Sequence, residues 1–221
     1  MRALVVRQYL EEAVRFAPQA VRVARTLMTC RVVAEVLNEI GVPAESPSSY
    51  RFVNVHNPRC PLSFDDAERR WSCAPALEDH PAWGINWAGA VLICEHLGGR
   101  LPSAEEWECI ASNNERTRTY PWGNDEPTHQ RANYDEHYGA TTAVARFPPS
   151  ELGLYDLAGN LGEWCRDRSD NGVGASFERI VKGGAWSKDA RYLAIGVSRA
   201  KWERLGTTTI GLRPVWDDAL R

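Results

Sequence analysis

Apolar residues recur at roughly helical spacing through residues 3–16, at Leu4, Val5, Leu10, Val14 and Phe16, and Pro18 closes the run. Residues 20–24, Ala-Val-Arg-Val-Ala, alternate instead. Val21 and Val23 fall on one side and Arg22 on the wetter one, which suits a short strand but is too brief to exclude helix. Thr29 caps a predicted helix through Val32, Val33, Val36, Leu37 and Ile40, stopped by Gly41-Val42-Pro43. Residues 43–63 read as a loop rich in Pro, Ser and Asn with one candidate strand at 50–55, and residues 64–81 as polar turns. A helix is predicted from Trp87 to Leu97, ended by Gly98-Gly99. Another covers 104–112, where Ser103 caps the first turn, Glu106 reaches back, and Trp107 and Ile110 share a face.

Beyond Asn113 no long helical period survives. Tyr120-Pro121-Trp122-Gly123 reads as a rigid aromatic turn, and 131–163 as loop with short strands. Residues 181–186 read as a strand interrupted by a close backbone approach at Gly183-Gly184, and 210–215 as a last strand. Nothing repeats at a period of 20–50 residues, and no linker divides the chain, so residues 1–221 are read as one domain.

Composition narrows the class. With 221 residues and 43% hydrophobic content the chain can bury a sizeable core, and a net charge of −3 points to neither a nucleic-acid nor a membrane surface. No apolar run is long enough to span a bilayer, and the N-terminus is too charged for a signal peptide, so a cytoplasmic location is expected. Cysteines at 30, 60, 73, 94, 109 and 165 form no CxxC pair and, in that compartment, give no argument for disulfides.

Candidate chemistry centres on Gly153–Trp164, GLYDLAGNLGEW. Asn160 and Glu163 sit three apart between turn-forming glycines, an arrangement that could bring carboxylate, amide and carbonyl oxygens onto a hard cation such as calcium. An aromatic-anchored turn without metal accounts for the same pattern.

Motifs in order carry a resemblance. Asp79-His80-Pro81 with Asn86-Trp87-Ala88-Gly89-Ala90, then Gly99-Arg100-Leu101-Pro102-Ser103-Ala104-Glu105-Glu106-Trp107-Glu108, Tyr120-Pro121-Trp122-Gly123, the 153–164 stretch, Lys182-Gly183-Gly184-Ala185-Trp186 and Gly211-Leu212-Arg213 together resemble the formylglycine-generating enzyme (sulfatase-modifying factor) family. The resemblance implies an irregular, loop-rich α+β fold, distantly akin to C-type lectins. It also implies structural calcium, with Asn160, Glu163 and the carbonyls of Leu161 and Gly162 on one site, and Asn133 with the carbonyl of Tyr134 on a second.

The resemblance stops short of the family's reaction, in which two cysteines hold copper(I) and O₂ oxidises a substrate cysteine. Matching the glycine pairs places Lys188 and Leu193 at the copper positions, and no cysteine follows Cys165, so no copper is expected. The family cleft would be bordered by Trp186, Lys188, Tyr192, Arg199, Trp202 and Arg204, a mixture suited to anionic or aromatic ligands. The leading expectation is an oxidoreductase in a biosynthetic pathway that tailors a small amine, amino acid or peptide with O₂. Lys188, Tyr192 and Arg199 would be its catalytic candidates, and Trp186, Trp202 and Arg204 would bind substrate. The alternative is a non-catalytic module that binds a ligand or protein through 186–209. A third option is an accessory subunit docked through the charged N-terminal helix. A concave pocket around Lys188 and Tyr192 would favour the enzyme, and an exposed flat surface the binding module.

Overall fold

The computed structural model describes residues 2–43, 51–169 and 177–218. Helix α1 (Leu4–Glu11) buries Val6 and Tyr9 and is anchored where the Tyr9 hydroxyl donates to the Thr26 carbonyl at 3.0 Å. Helix α2 (Cys30–Ile40) begins at Thr29, whose side chain accepts from Val32 N, and ends at Gly41, whose φ of 76° supplies the left-handed cap. Its buried face of Cys30, Val32, Val33, Val36 and Leu37 forms the floor of the main core. Helix α3 (Trp87–His96) is capped by Asn86, and helix α4 (Ala104–Ala111) by the expected reciprocal pair of Ser103 and Glu106.

The strands are short. Strands β1 (Val14–Phe16) and β2 (Val21–Val23) form an antiparallel pair, and β9 (Val215–Asp217) adds to the free side of β2. Strands β3 (Leu62–Asp65) and β4 (Arg70–Cys73) make a hairpin. The third sheet runs in the order β7 (Arg199–Trp202), β6 (Glu178–Lys182), β5 (Gly162–Arg168), β8 (Ile210–Gly211), with β5 and β8 parallel. Buried side chains of α1, α2 and α3 meet Trp71 and Trp164 in one cluster. Phe16, Val21, Val23 and Val215 meet Trp107 and Ile110 of α4 in another. This mixed, loop-rich architecture agrees with the α+β expectation.

Three local readings are corrected. Val14 and Phe16 do not extend the first helix. They alternate around Arg15 as Val21 and Val23 do around Arg22, and the two segments pair with Phe16 opposite Val21. Residues 64–81 contain the β3–β4 hairpin, whose solvent-facing positions are polar because only one face packs, with Trp71 1% exposed against Phe64. The expected last strand divides. Ile210 and Gly211 join one sheet, Val215 to Asp217 another, and Leu212-Arg213-Pro214 crosses between them. Of the candidate strand at 50–55, Tyr50 lies outside the described residues, and Val53 forms an isolated bridge to Ile85 in place of a strand.

Candidate functional site

The 153–164 stretch enters β5 through a turn built on left-handed residues, Asp156 at φ 54°, Gly159 at 80° and Asn160 at 58°. Gly159 is required there, because a side chain would overlap the Asn133 carbonyl. From this turn Glu163 enters the interior, 0% exposed. One carboxylate oxygen accepts from Arg213 Nε at 2.9 Å and the other from Trp107 Nε1 at 2.8 Å. Arg213, 1% exposed, spends its remaining nitrogens on the carbonyls of Ala24 at 2.9 Å and Tyr155 at 2.7 Å. Every charged or polar atom of the pair therefore faces a partner, which is the condition under which a buried ion pair is tolerated.

Asn160 is equally committed. Its Oδ1 accepts from Thr142 N at 3.0 Å, and its Nδ2 donates to Thr142 O at 3.1 Å and weakly to Asp156 Oδ1 at 3.4 Å. The other Asp156 oxygen accepts from Ala145 N at 2.9 Å. Burial pushes the Asp156 carboxyl above its ordinary range, against the opposing pull of the Ala145 N–H and the Arg213 charge.

This arrangement bears on calcium. Asn160 and Glu163 turn their oxygens to separate protein donors, and Arg213 already neutralises the carboxylate, so the pair does not fit a cation's needs in this geometry. Leu161 packs its side chain on Leu27 and Trp83, while Gly162 opens β5 with its N–H on Thr209 O. Around the second position the fit is partial. Asn133 Nδ2 donates to Ala140 O, but its buried Oδ1 has no partner among the described residues, and Tyr134 O accepts from His137 N at 3.2 Å. No group of three or more His, Cys, Asp or Glu side chains gathers as a metal centre among the described residues.

The segment after Gly183-Gly184 carries the residues expected to border the cleft. Both glycines have positive φ, and at Gly184 a side chain would meet Leu193 Cδ2 at 2.8 Å and Tyr192 O at 3.0 Å. Trp186 is half-buried over Leu27, Trp83 and Leu161, with its Nε1 on Thr208 O at 3.0 Å. Lys188 lies half-buried where its carbonyl accepts from Asp135 N, and no acid pairs with it among the described residues. Leu193, at the second copper position, is 0% exposed and packs with Ala132, Tyr134 and Ala158. Tyr192, through its carbonyl, and Arg199, through its guanidinium, both border Gly184. Arg199 Nη2 donates to Gly184 O at 2.8 Å, and burial lowers the guanidinium to about 10 while the Tyr192 hydroxyl opposes that shift. Trp202, 57% exposed, and Arg204 stand apart at the outer end of β7 beside exposed Phe177 and Leu205. The structure thus gathers Tyr192 and Arg199, keeps Trp186 and Lys188 on the adjoining segment, and separates Trp202 and Arg204.

Sequence reasoning passed over Lys182. Its side chain is 0% exposed, with Nζ 2.7 Å from Glu108, 3.2 Å from Ser198 Oγ and 5.7 Å from the Trp107 ring centroid. The one available signal was a lysine placed between the apolar pair Ile180-Val181 and the glycines.

Comparison with known proteins agrees with the architecture. The family described as the Sulfatase-modifying factor enzyme 1-like domain matches residues 44–218. The chain is 36% identical over 126 residues to a Chlamydia pneumoniae protein named serine/threonine-protein kinase pkn1, covering 51% of this chain and 20% of that one. It is 31% identical over 132 residues to bovine formylglycine-generating enzyme, covering 49% of this chain and 35% of that one. It is also 31% identical over 121 residues to the bovine protein named inactive C-alpha-formylglycine-generating enzyme 2, covering 49% and 39%. The matches therefore span well under half of each relative. Two solved structures share the fold, each covering 89% of this chain. They are Treponema denticola variable protein 1, with TM-score 0.68, 20% identity and 84% of that chain, and PvdO from Pseudomonas aeruginosa, with 0.67, 18% and 80%.

Proposed function

The chain belongs to the sulfatase-modifying factor enzyme 1-like family, and from that premise we propose that it is a ligand-binding member without the copper reaction, using 186–209 as its recognition surface. One observation carries the reading. The residue at the second copper position, Leu193, is an apolar core side chain with no exposure, held between Tyr134 and Ala158. Lys188 at the first offers an ammonium, which repels a copper(I) ion instead of ligating it. Around these positions the segment keeps half-buried aromatics and cations, the residue types that stack on and pair with small ligands or peptides. The name of the inactive bovine relative is consistent with loss of the reaction on a retained fold.

The test has two arms. Protein loaded with copper(I) and offered a cysteine-bearing peptide should consume no O₂ above a serine-bearing control; sustained uptake would overturn the proposal. Peptides selected from a random library should lose at least tenfold in affinity on Trp186→Ala with the melting temperature held. If no binder is found, or binding ignores that substitution, the surface is misplaced.

An oxidative tailoring enzyme acting on a small amine, amino acid or peptide is the second reading. The position of Tyr192 and Arg199, both bordering Gly184, favours it. O₂ uptake with free amino acids that disappears in Tyr192→Phe would select it over the first. Calcium enters this proposal only at Asn133, whose unpartnered Oδ1 could take a cation together with main-chain carbonyls of its loop, with a purely structural effect.

A further inference from the structure

We propose that the Arg199 guanidinium anchors the carboxylate of a monoanionic ligand. The inference deepens the recognition-surface reading and rests on it.

Arg199 is placed by its strand. It stands opposite Val181 in the β6–β7 ladder, at the end away from the β5–β6 connection, which leaves next to Arg168 and Glu178. Its Nη2 reaches Gly184 O at 2.8 Å and lies against the Cα of Gly162, where an added Cβ would overlap it. Gly162 in turn gives its N–H to Thr209 O, so the guanidinium sits where the glycine pair, the start of β5 and the approach to β8 converge. Only a glycine at 162 leaves that space.

The remaining nitrogens are the anomaly. Nε and Nη1 are buried, and no acceptor meets either among the described residues. No carboxylate pairs with Arg199 there, although the neighbouring buried cations all have one: Arg179 with Glu203 at 2.9 Å, Lys182 with Glu108 at 2.7 Å, Arg213 with Glu163 at 2.9 Å. A buried charge without a counter-ion is costly, and so are buried N–H donors without acceptors. The described residues supply partners for these three cations and none for Arg199.

The class of ligand follows from the charge. One guanidinium balances one negative charge, so a buried dianion would itself need a second cation. Lys201, two residues along the same strand, and Lys188, on the adjoining segment, are half-exposed and serve a rim better than a floor. A planar carboxylate can meet the guanidinium end-on through Nη1 with the second hydrogen of Nη2, or singly at Nε–H, since Nε–H and Nη1–H lie on different edges and share no fork.

The test is thermal unfolding of the whole chain in sodium acetate, sodium benzoate, sodium sulfate and sodium chloride at matched ionic strength, for wild type, Arg199→Met and Arg199→Lys. Acetate and benzoate should raise the wild-type melting temperature saturably relative to chloride. Arg199→Met should abolish that response and hold or raise the melting temperature in chloride, because it removes the uncompensated charge. Arg199→Lys should keep a response with at least tenfold weaker half-saturation. Three results would overturn the proposal: a sulfate response exceeding acetate, no carboxylate-specific response in wild type, or an equal fall for Arg199→Met in every salt. The last would show a strut for Gly184 and nothing more. If Arg199→Met fails to fold, saturation transfer from wild type to benzoate in NMR decides alone, and its absence sinks the idea. The two proposals fail separately. O₂ uptake with copper(I) would remove the binding-domain reading and leave the carboxylate response standing, whereas peptide binding through Trp186 without any carboxylate response would remove only this inference.

Discussion

Replacing Glu163 by glutamine removes one charge from a pair with no access to water. The Arg213 guanidinium keeps the Ala24 and Tyr155 carbonyls but loses its counter-charge, and it is 1% exposed. The new amide must also place either its oxygen toward Trp107 Nε1, leaving its NH₂ against Arg213, or the reverse, so one donor meets a donor. Removing one member of such a pair costs roughly 3–5 kcal/mol. At about 2–4 °C per kcal/mol for a chain of this size, the melting temperature should fall by roughly 6–20 °C. Arg213→Met should lose a similar amount, and the double substitution should fall short of the sum by at least ~1 kcal/mol, because the second change removes a charge already stranded. Urea unfolding of the four proteins at neutral pH reads this coupling directly. The reasoning is refuted if the losses add, or if Glu163→Gln costs less than ~1 kcal/mol. Calcium supplies a further check. If it raised the wild-type melting temperature relative to chelator and left Glu163→Gln unmoved, Glu163 would be a metal ligand, and the ion-pair account would fail.

Other outcomes follow from single groups. Ser103→Ala breaks the reciprocal cap of α4 and should cost ~1 kcal/mol in urea unfolding, with the fold retained by circular dichroism. The folded-state carboxyl of Asp156 lies above its unfolded value, so its contribution is fully present below the ordinary carboxylate range and is lost as pH rises through the raised value; the stability of wild type relative to Asp156→Asn should therefore fall across that window. Burial pushes the Cys60 thiol up to about 11, and Cys94 and Cys165, which are buried outright, higher still. Iodoacetamide at pH 8 should leave all three unmodified in the native protein and label them in urea, as read by mass spectrometry; rapid native labelling of Cys60 would contradict its placement.

The helices were legible because their signals are local. Thr29 and the Ser103–Glu106 pair each mark a first turn within four residues, and both caps are present. The hairpin at 62–73 was not, because its polar outer face conceals the alternation and its turn, closed by Asp65 Oδ1 on Ala67 N and Glu68 N, reads as loop. The end of the chain misled for a different reason. Residues 210–215 read as one mostly apolar strand around a single arginine, but Arg213 turns inward to Glu163 where the chain passes from one sheet to the other. Motif order did mark the close backbone approach at Gly183-Gly184, where both glycines have positive φ. Composition could not show that Arg199 lies beneath it with unpartnered nitrogens, or that Asn160 would be saturated by Thr142, because both depend on partners far along the chain.

The link between Arg213 and the carbonyl of Ala24 spans 189 positions in sequence, and β9 completes a sheet begun by β1 and β2. Neither the hairpin near the start nor the buried acid of β5 can reach its final environment until the residues near 213 arrive. Closing loops of that length comes before most of the compensating contacts, so slow, late-committing folding is expected, with Glu163 and the edge of β2 exposed meanwhile. During synthesis Ala24 would have to wait for the 189 positions up to Arg213 to emerge. That waiting state, more than the finished fold, is where a chaperone or an aggregating neighbour would find an open strand edge to engage.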